Sequence, residues 1–385
     1  MAIERVENQD LEGLTILRGV AAMSVVALHY QGYFERSEIG ELTFRIFSGG
    51  NLAVDLFFVL SGFIMAYVYG RSIDAGTFEA RGFYIKRFAR LYPVHLITLL
   101  AALALSVASA LAGIGGEKLG QNLGTLPATF LAVHAWGFTA TELSPNYPSW
   151  SISAELFAYL LFPIVFYPLL TRLDRHLTLA LAVLFFAGLY FSFGIWSEWI
   201  PVQNYKFSRL ANDFGIIRII PAFAMGMALF RIYQHRKEGD GFGYLAATGL
   251  LAFGAIACVV FEISDGIIII MLALMIYTMS CAEPAVQAIS GFAGGRIHRA
   301  LVYLGTVSYS IYMVHAVLQT VLFKGWETLF GPDLPIWTFW LSVCAAFPAG
   351  AALYHLVEKP GRKVVLKLLM PRFAKPKAST PQAAE

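Results

Sequence analysis

Charge is what this chain has least of. Only 14% of its 385 residues are Asp, Glu, Lys or Arg, against about 25% in soluble domains. That composition excludes an ordinary soluble enzyme. Cysteine is scarce too. Cys258, Cys281 and Cys344 are odd in number, far apart and inside apolar runs. They read as small core residues, and they exclude a disulfide framework. No glycine-rich nucleotide loop stands in a strand-turn-helix context, and there is no nucleophile-elbow sequence. His95, His134, His176, His235, His298 and His355 fall at no metal-ligand spacing, so no metal site is expected.

What the chain has instead is apolar length. Hydrophobic residues make up 58% of it, in blocks of about twenty, enough for about 30 Å of helix. Ten blocks are read as spans: Leu14–Phe34, Asn51–Gly70, Leu91–Gly113, Ser151–Leu170, Leu177–Trp196, Phe214–Tyr233, Tyr244–Phe261, Ile267–Cys281, Leu301–Phe323 and Ile336–Val357. Unpaired backbone groups are not tolerated in lipid, so the spans are helices. The expected fold is an all-α polytopic membrane bundle, one domain over 1–358, followed by a basic tail over 359–385 that is expected to be disordered. Leu126–Phe138 is too short to span and is expected to lie at the interface or to re-enter. The first block is too long for a signal-peptide core and lacks a small-x-small cleavage site, so it is expected to be retained.

With ten spans, both ends lie on one side. Of the 28 Lys and Arg, 21 fall on that side, six (Arg36, Arg45, Lys118, Lys206, Arg209 and Lys324) on the other, and Arg218 within a span. The richer side is expected to be cytoplasmic. The net charge of +3 therefore reports topology, and no nucleic-acid partner is expected.

Ionisable residues inside such a bundle need a reason to be there. Arg18 and His29 are eleven residues apart on the first span, about 1100° of helical rotation. They share one face, roughly 16 Å apart along the axis. Alternating orientation then puts His29, Asp55, Glu155 and His315, from four helices, at similar depth toward the far side. Each could be a packing residue; together they suggest a shared polar cavity. Lys86, Arg87 and Arg90 in KRFARLYP read either as an inside anchor or, with Arg18, as a phosphate cradle. Ser61 and Gly62 in FFVLSGF permit close helix approach, or leave a slot for a slender ligand. The outer loop from about Ile114 to Trp150 holds Asn146, Tyr147, Pro148 and Trp150, suited to membrane anchoring or to stacking on sugar rings.

Five blocks resemble the type 3 acyltransferase family of bacterial membrane proteins. They are LRGVAAMSVVALHY with Arg18 and His29, VDLFFVLSGFIM from Val54, RFARLYP from Arg87, SWSISAELFAYLLFP from Ser149 and SYSIYMVH from Ser308. They occur in the family's order and span most of the chain. The family's opening reads closer to DGLRG, whereas this chain has EGLTILRG, with the Arg–His spacing intact.

That resemblance implies a multi-pass protein of the bacterial inner membrane that moves an acyl group from cytoplasmic acyl-CoA, often acetyl-CoA, to a carbohydrate hydroxyl. The donor is a substrate, and no permanently bound cofactor is implied. His29 is the implied catalytic residue, and Arg18, Arg87 and Arg90 the donor-side arginines. Ser61 and Gly62 match the family's FSG-like block. Asp55, Glu155 and His315 are further candidates, with Asp55 or Glu155 orienting the His29 ring. The competing expectation is a transporter or flippase with His29, Asp55, Glu155 and His315 as its relay. Against it, no pair of Gly/Pro-broken helices marks an inverted repeat.

Overall fold

The computed structural model describes residues 11–113, 116–137, 144–168, 172–196, 206–212, 214–237, 239–291 and 295–370. Among them there is no strand. Thirteen helices carry the argument: α1 (Glu12–Gln31), α2 (Ala53–Asp74), α3 (Ala80–Leu111), α4 (Gly116–Phe130), α5 (Trp150–Leu161), α6 (Arg175–Trp196), α7 (Gly215–Gln234), α8 (Gly241–Val260), α9 (Asp265–Cys281), α10 (Gly295–Thr306), α11 (Ser308–Gln319), α12 (Ile336–Leu353) and α13 (Lys359–Leu369). Eight helical stretches are long and apolar enough to cross a membrane. The count reaches ten if two bent pairs each make one span. One pair is α9 with the helix Glu283–Ser290, bent by 61°; the other is α10 with the Ser308–Phe330 helix, bent by 65°. All ten expected blocks have a counterpart here, though Leu169 and Leu170 lie outside the described residues.

Helix ends show how local sequence and distant packing combine. Leu11, at the N-cap of α1, has no side-chain acceptor for the free amides there. Glu283 supplies one from 270 residues away, accepting from the Glu12 and Gly13 amides at 3.1 Å each. A carboxylate at a helix N-terminus satisfies orphan donors and complements the dipole. α3 and α8 are capped locally, by Glu79 on the Gly82 amide and Asp240 on the Phe242 amide, at 3.0 Å in both cases.

α2 and α7 cross closely, and small residues set the crossing. A Cβ on Gly62 would fall 2.0 Å from the Phe223 carbonyl oxygen, and one on Gly226 would fall 1.9 Å from that of Val59. Backbones this close exclude any side chain, which is the packing reading of Gly62. α4 folds back antiparallel along α3. Asn122 Nδ2 donates to Ser106 Oγ at 2.8 Å, and Tyr92 Oη to the Phe130 carbonyl at 3.1 Å. The described part of the short apolar stretch Leu126–Phe138 is thus the end of this returning helix and the turn after it.

Two expectations need correction. Lys359–Leu369, assigned to a disordered tail, is the helix α13, which packs against α3. Gly361 meets Pro93 of α3, and Val365 and Leu366 beside it are half-buried, whereas Val364 and Leu368 are exposed. Residues 371–385 lie outside the described residues. Cys344, expected in the core, is exposed on the outside of the bundle.

Candidate active site: an arginine cavity and a histidine pair

α1 and α11 touch at two levels, and the pattern of each helix sets both. Ser308 and His315 are seven residues apart on α11, two turns and about 10.5 Å. Arg18 Nη2 donates to Ser308 Oγ at 3.3 Å. Eleven residues farther along α1, His29 Nδ1 lies 3.1 Å from His315 Nε2. The shared face of Arg18 and His29 is therefore the face that meets α11.

At the Arg18 level a cavity of about 160 Å³ opens between α1, α2, α3, α5 and α11. Arg18, Arg87 and Arg90 all line it, with Ser61, Glu155 and Tyr159. Arg87 Nη2 donates to Tyr69 Oη at 3.2 Å, and its guanidinium lies 5.8 Å from the centre of the Tyr159 ring. Arg90 lies 5.4 Å from the Tyr309 ring centre and forms an ion pair with Glu358. Glu358 is buried and also accepts from Ser310 Oγ at 2.6 Å. Ser61 Oγ donates to Glu155 Oε1 at 2.8 Å and lies 3.1 Å from Tyr159 Oη, and Tyr159 donates to the same carboxylate oxygen. With Arg90 matched by Glu358, Arg18 and Arg87 against Glu155 leave the cavity net positive, a balance suited to an anion.

At the other level the hydrogen bonds fix the histidine tautomers. His315 Nδ1 lies 2.5 Å from the Tyr312 carbonyl oxygen, which can only accept. So Nδ1 carries the hydrogen, and Nε2 of the neutral ring is an acceptor. His29 Nδ1 supplies the hydrogen to it. The lone pair of His29 Nε2 is then left for a substrate proton. The rings stack with centroids 5.0 Å apart at 21°. His315 is fully buried, whereas His29 is half-buried. Tyr147 closes the group: its Oη donates to Gln319 Oε1 at 2.9 Å, and Gln319 Nε2 donates to the His29 carbonyl at 2.9 Å. Tyr312 joins the two levels. Its side chain lines the arginine cavity, its carbonyl holds His315, and its ring centroid is 5.7 Å from that of His315.

The four titratable groups expected at one level are divided among three places. His29 and His315 meet. Glu155 belongs to the arginine cavity with Ser61. Asp55 is elsewhere: both its oxygens accept from Arg218, at 2.9 and 2.6 Å, with both side chains buried. Arg218 also donates to the Asn51 carbonyl at 2.8 Å and packs over Trp150. Neither carboxylate orients His29, and a four-member relay does not form. The orienting partner is His315. Lys86 is exposed and does not line the cavity, so the expected cradle is Arg18, Arg87 and Arg90 without it. Gly62 is spent on the α2–α7 crossing and leaves no slot, whereas its neighbour Ser61 faces the cavity.

Glu358 and Gln319 escaped the sequence reading as site residues, and Tyr147, read for anchoring or sugar stacking, is placed beside His29 and His315. Arg218 carried a usable signal: an arginine within a span requires a buried partner, and Asp55 was the carboxylate at matching depth.

Comparison with known proteins adds a lineage to this geometry. A family model described as an acyltransferase domain matches residues 11–355. The acyltransferase MdmB of Streptomyces mycarofaciens is 29% identical over 372 residues, 91% of each chain. A protein named putative O-acetyltransferase SACOL0978, from Staphylococcus aureus, is 21% identical over 381 residues. That alignment covers 93% of this chain but 58% of the staphylococcal one. Protein 2 in the picA locus of Rhizobium radiobacter is 43% identical over 84 residues, 22% of this chain and 39% of that one. No solved structure matches the chain.

Proposed function

Because the chain belongs to the type 3 acyltransferase family, we propose that it transfers an acyl group, acetyl foremost, from cytoplasmic acyl-CoA to a carbohydrate hydroxyl at the opposite face of a bacterial inner membrane. Both termini are then cytoplasmic, in line with the excess of Lys and Arg on their side. The name O-acetyltransferase borne by the staphylococcal relatives supports an oxygen acceptor.

The observation that carries this reading is the position of the His29–His315 pair at one end of α1 and the three-arginine cavity at the other. The cavity is smaller than the about 300–1,000 Å³ of a drug-sized pocket. It suits the slender arm of the donor, with the phosphates held at its mouth by Arg18, Arg87 and Arg90. At the far end, His29 Nε2 accepts the proton of the attacking hydroxyl. The new C–O bond forms at the thioester carbonyl, the C–S bond breaks, and the proton passes from His29 to the departing thiolate. His315 Nε2, accepting from His29 Nδ1, fixes the ring orientation as the third member of an acyl-transfer triad does. A histidine in that role stays uncharged, so it orients without adding a negative charge beneath the base.

Purified protein given labelled acetyl-CoA and a polysaccharide acceptor tests the reading. Labelled acceptor is expected from wild type and none from the His29→Ala protein at equal protein level. Acceptor that crosses a vesicle membrane without acquiring label supports a carrier instead.

A further inference from the structure

A second cavity, of about 520 Å³, opens at the His29 end of the bundle. The ends of α6 and α8, the starts of α2 and α9, and the short helix Glu41–Ser48 surround it. These are the ends that an antiparallel bundle places with the end of α1. Its volume falls within the range of ligand pockets, about 300–1,000 Å³.

Its lining is unusual for a protein so poor in charge. Of the six cations on this side, four (Arg36, Arg45, Lys206 and Arg209) line this one cavity. The acids in the lining are Glu262 and Asp265. Glu262 is bound to Arg45 at 3.0 Å, and Asp265 accepts from Ser208 Oγ at 2.5 Å. Arg45 also holds Glu41 at 2.6 Å, so its charge is matched. Arg36, Lys206 and Arg209 have no ion pair among the described residues. The lining holds four cations and two acids, and this excess of positive charge raises the local concentration of anions. Arginine forks are suited to phosphate and carboxylate oxygens.

The cavity also reaches α1 at the depth of the histidine pair. Ser48 in its lining accepts a hydrogen bond from Gln31 Nε2 at 3.1 Å. Gln31 is two residues beyond His29 on α1, about 3 Å along the axis and about 200° around it, so the cavity and His29 share a depth on different sides of the helix.

We propose that this cavity is an oxyanion subsite of the acceptor, seating a phosphate or carboxylate attached to the glycan whose hydroxyl reaches His29. The assignment rests on the reading that the acceptor enters at the His29 end. Arg36, Lys206 and Arg209 bind the oxyanion, and Phe44, Tyr190 and Phe207 give the rest of the ligand an apolar wall. An acidic or phosphate-linked glycan is thereby favoured over a neutral one. Phospholipid headgroups offer the same oxygen chemistry, so the test separates the two sources.

The probe is inorganic pyrophosphate, titrated calorimetrically into full-length protein in phosphatidylcholine nanodiscs. An Arg87→Gln background weakens binding at the donor end. Saturable binding is expected, weakened at least tenfold by Lys206→Gln with Arg209→Gln and unchanged by Lys118→Gln, a cation outside the cavity. Both replaced residues are exposed, so the variant folds, and its elution as a single peak checks this. Absence of saturable binding, or equal affinity in the double variant, overturns the subsite. Phosphatidylglycerol that weakens pyrophosphate binding at least tenfold assigns the cavity to lipid and overturns the acceptor assignment. Undiminished affinity in those nanodiscs supports it. In the otherwise native protein, the double variant is expected to lose transfer to an acidic glycan while keeping transfer to a neutral one; equal loss on both overturns the assignment. Binding is read without any acyl transfer. A protein that acylates yet ignores pyrophosphate therefore loses the subsite and keeps the activity.

Discussion

Asp55 and Arg218 are locked to each other by two hydrogen bonds, of 2.6 and 2.9 Å, with almost no exposure of either side chain. This pair ties α2 to α7, the two helices that also meet at Gly62 and Gly226. Removing one member strands a buried charge, at a cost of about 3–5 kcal/mol. Asp55→Ala is therefore expected to lower the melting temperature sharply, whereas Asp55→Leu with Arg218→Met recovers most of it. Fluorescence-detected melting in detergent measures both. A stable but inactive Asp55→Ala protein points to chemistry at this carboxylate instead.

Gly62 and Ser61 are adjacent and are expected to fail differently. Gly62→Ala drives a methyl group into the Phe223 carbonyl, so folded protein is lost. Ser61→Ala removes a hydrogen bond to the Glu155 carboxylate, worth about 1.5–3 kcal/mol, so protein still accumulates and the donor KM rises. Membrane expression level and donor titration separate the two.

Arg87 and Arg90 are likewise not equivalent. Arg90→Gln leaves buried Glu358 without its cation, and destabilisation by about 3–5 kcal/mol is expected. Arg90→Gln with Glu358→Gln restores folding but not donor binding. Arg87→Gln loses a bond to a neutral tyrosine, so it folds near normally and weakens acyl-CoA binding alone. Thermal melts alongside binding of labelled CoA check all three. Restored CoA affinity in the double variant removes Arg90 from the donor site.

The histidines are expected to differ in degree. Positioned bases contribute about 10²–10⁴-fold, so His29→Ala falls to background. His315→Ala keeps the base but frees its ring, and lowers kcat by about 10²-fold with donor KM unchanged. Initial rates over a donor series give both constants. An unchanged kcat in His315→Ala shows that the ring is held by other means.

Much of this architecture was legible from residue order. Apolar runs of about twenty residues locate the spans because lipid admits little else. The Arg18–His29 spacing defines a face because helical rotation is fixed, and that face meets α11. Pairing across helices was not legible. Depth could be reckoned for His29, Asp55, Glu155 and His315, but azimuth could not. Helix rotation about its own axis is set by packing such as Gly62 on Phe223, and it sent Asp55 to Arg218 and Glu155 to Ser61. Glu358 was hidden for another reason. It sits where a charged tail begins, and only the docking of α13 on α3 turns that boundary into buried structure.

Tyr312 places one residue in both halves of the site, its side chain lining the arginine cavity with its hydroxyl held by Ser151 and the Pro148 carbonyl, and its backbone oxygen gripping an imidazole. The turn of helix that carries it is short and stiff, with no hinge between its ends. A ligand that presses on the phenol therefore also strains the bond that sets which nitrogen of the outer ring is bare. In the proposed reaction, a donor that displaces the Tyr312 ring thereby also disturbs the carbonyl that holds His315.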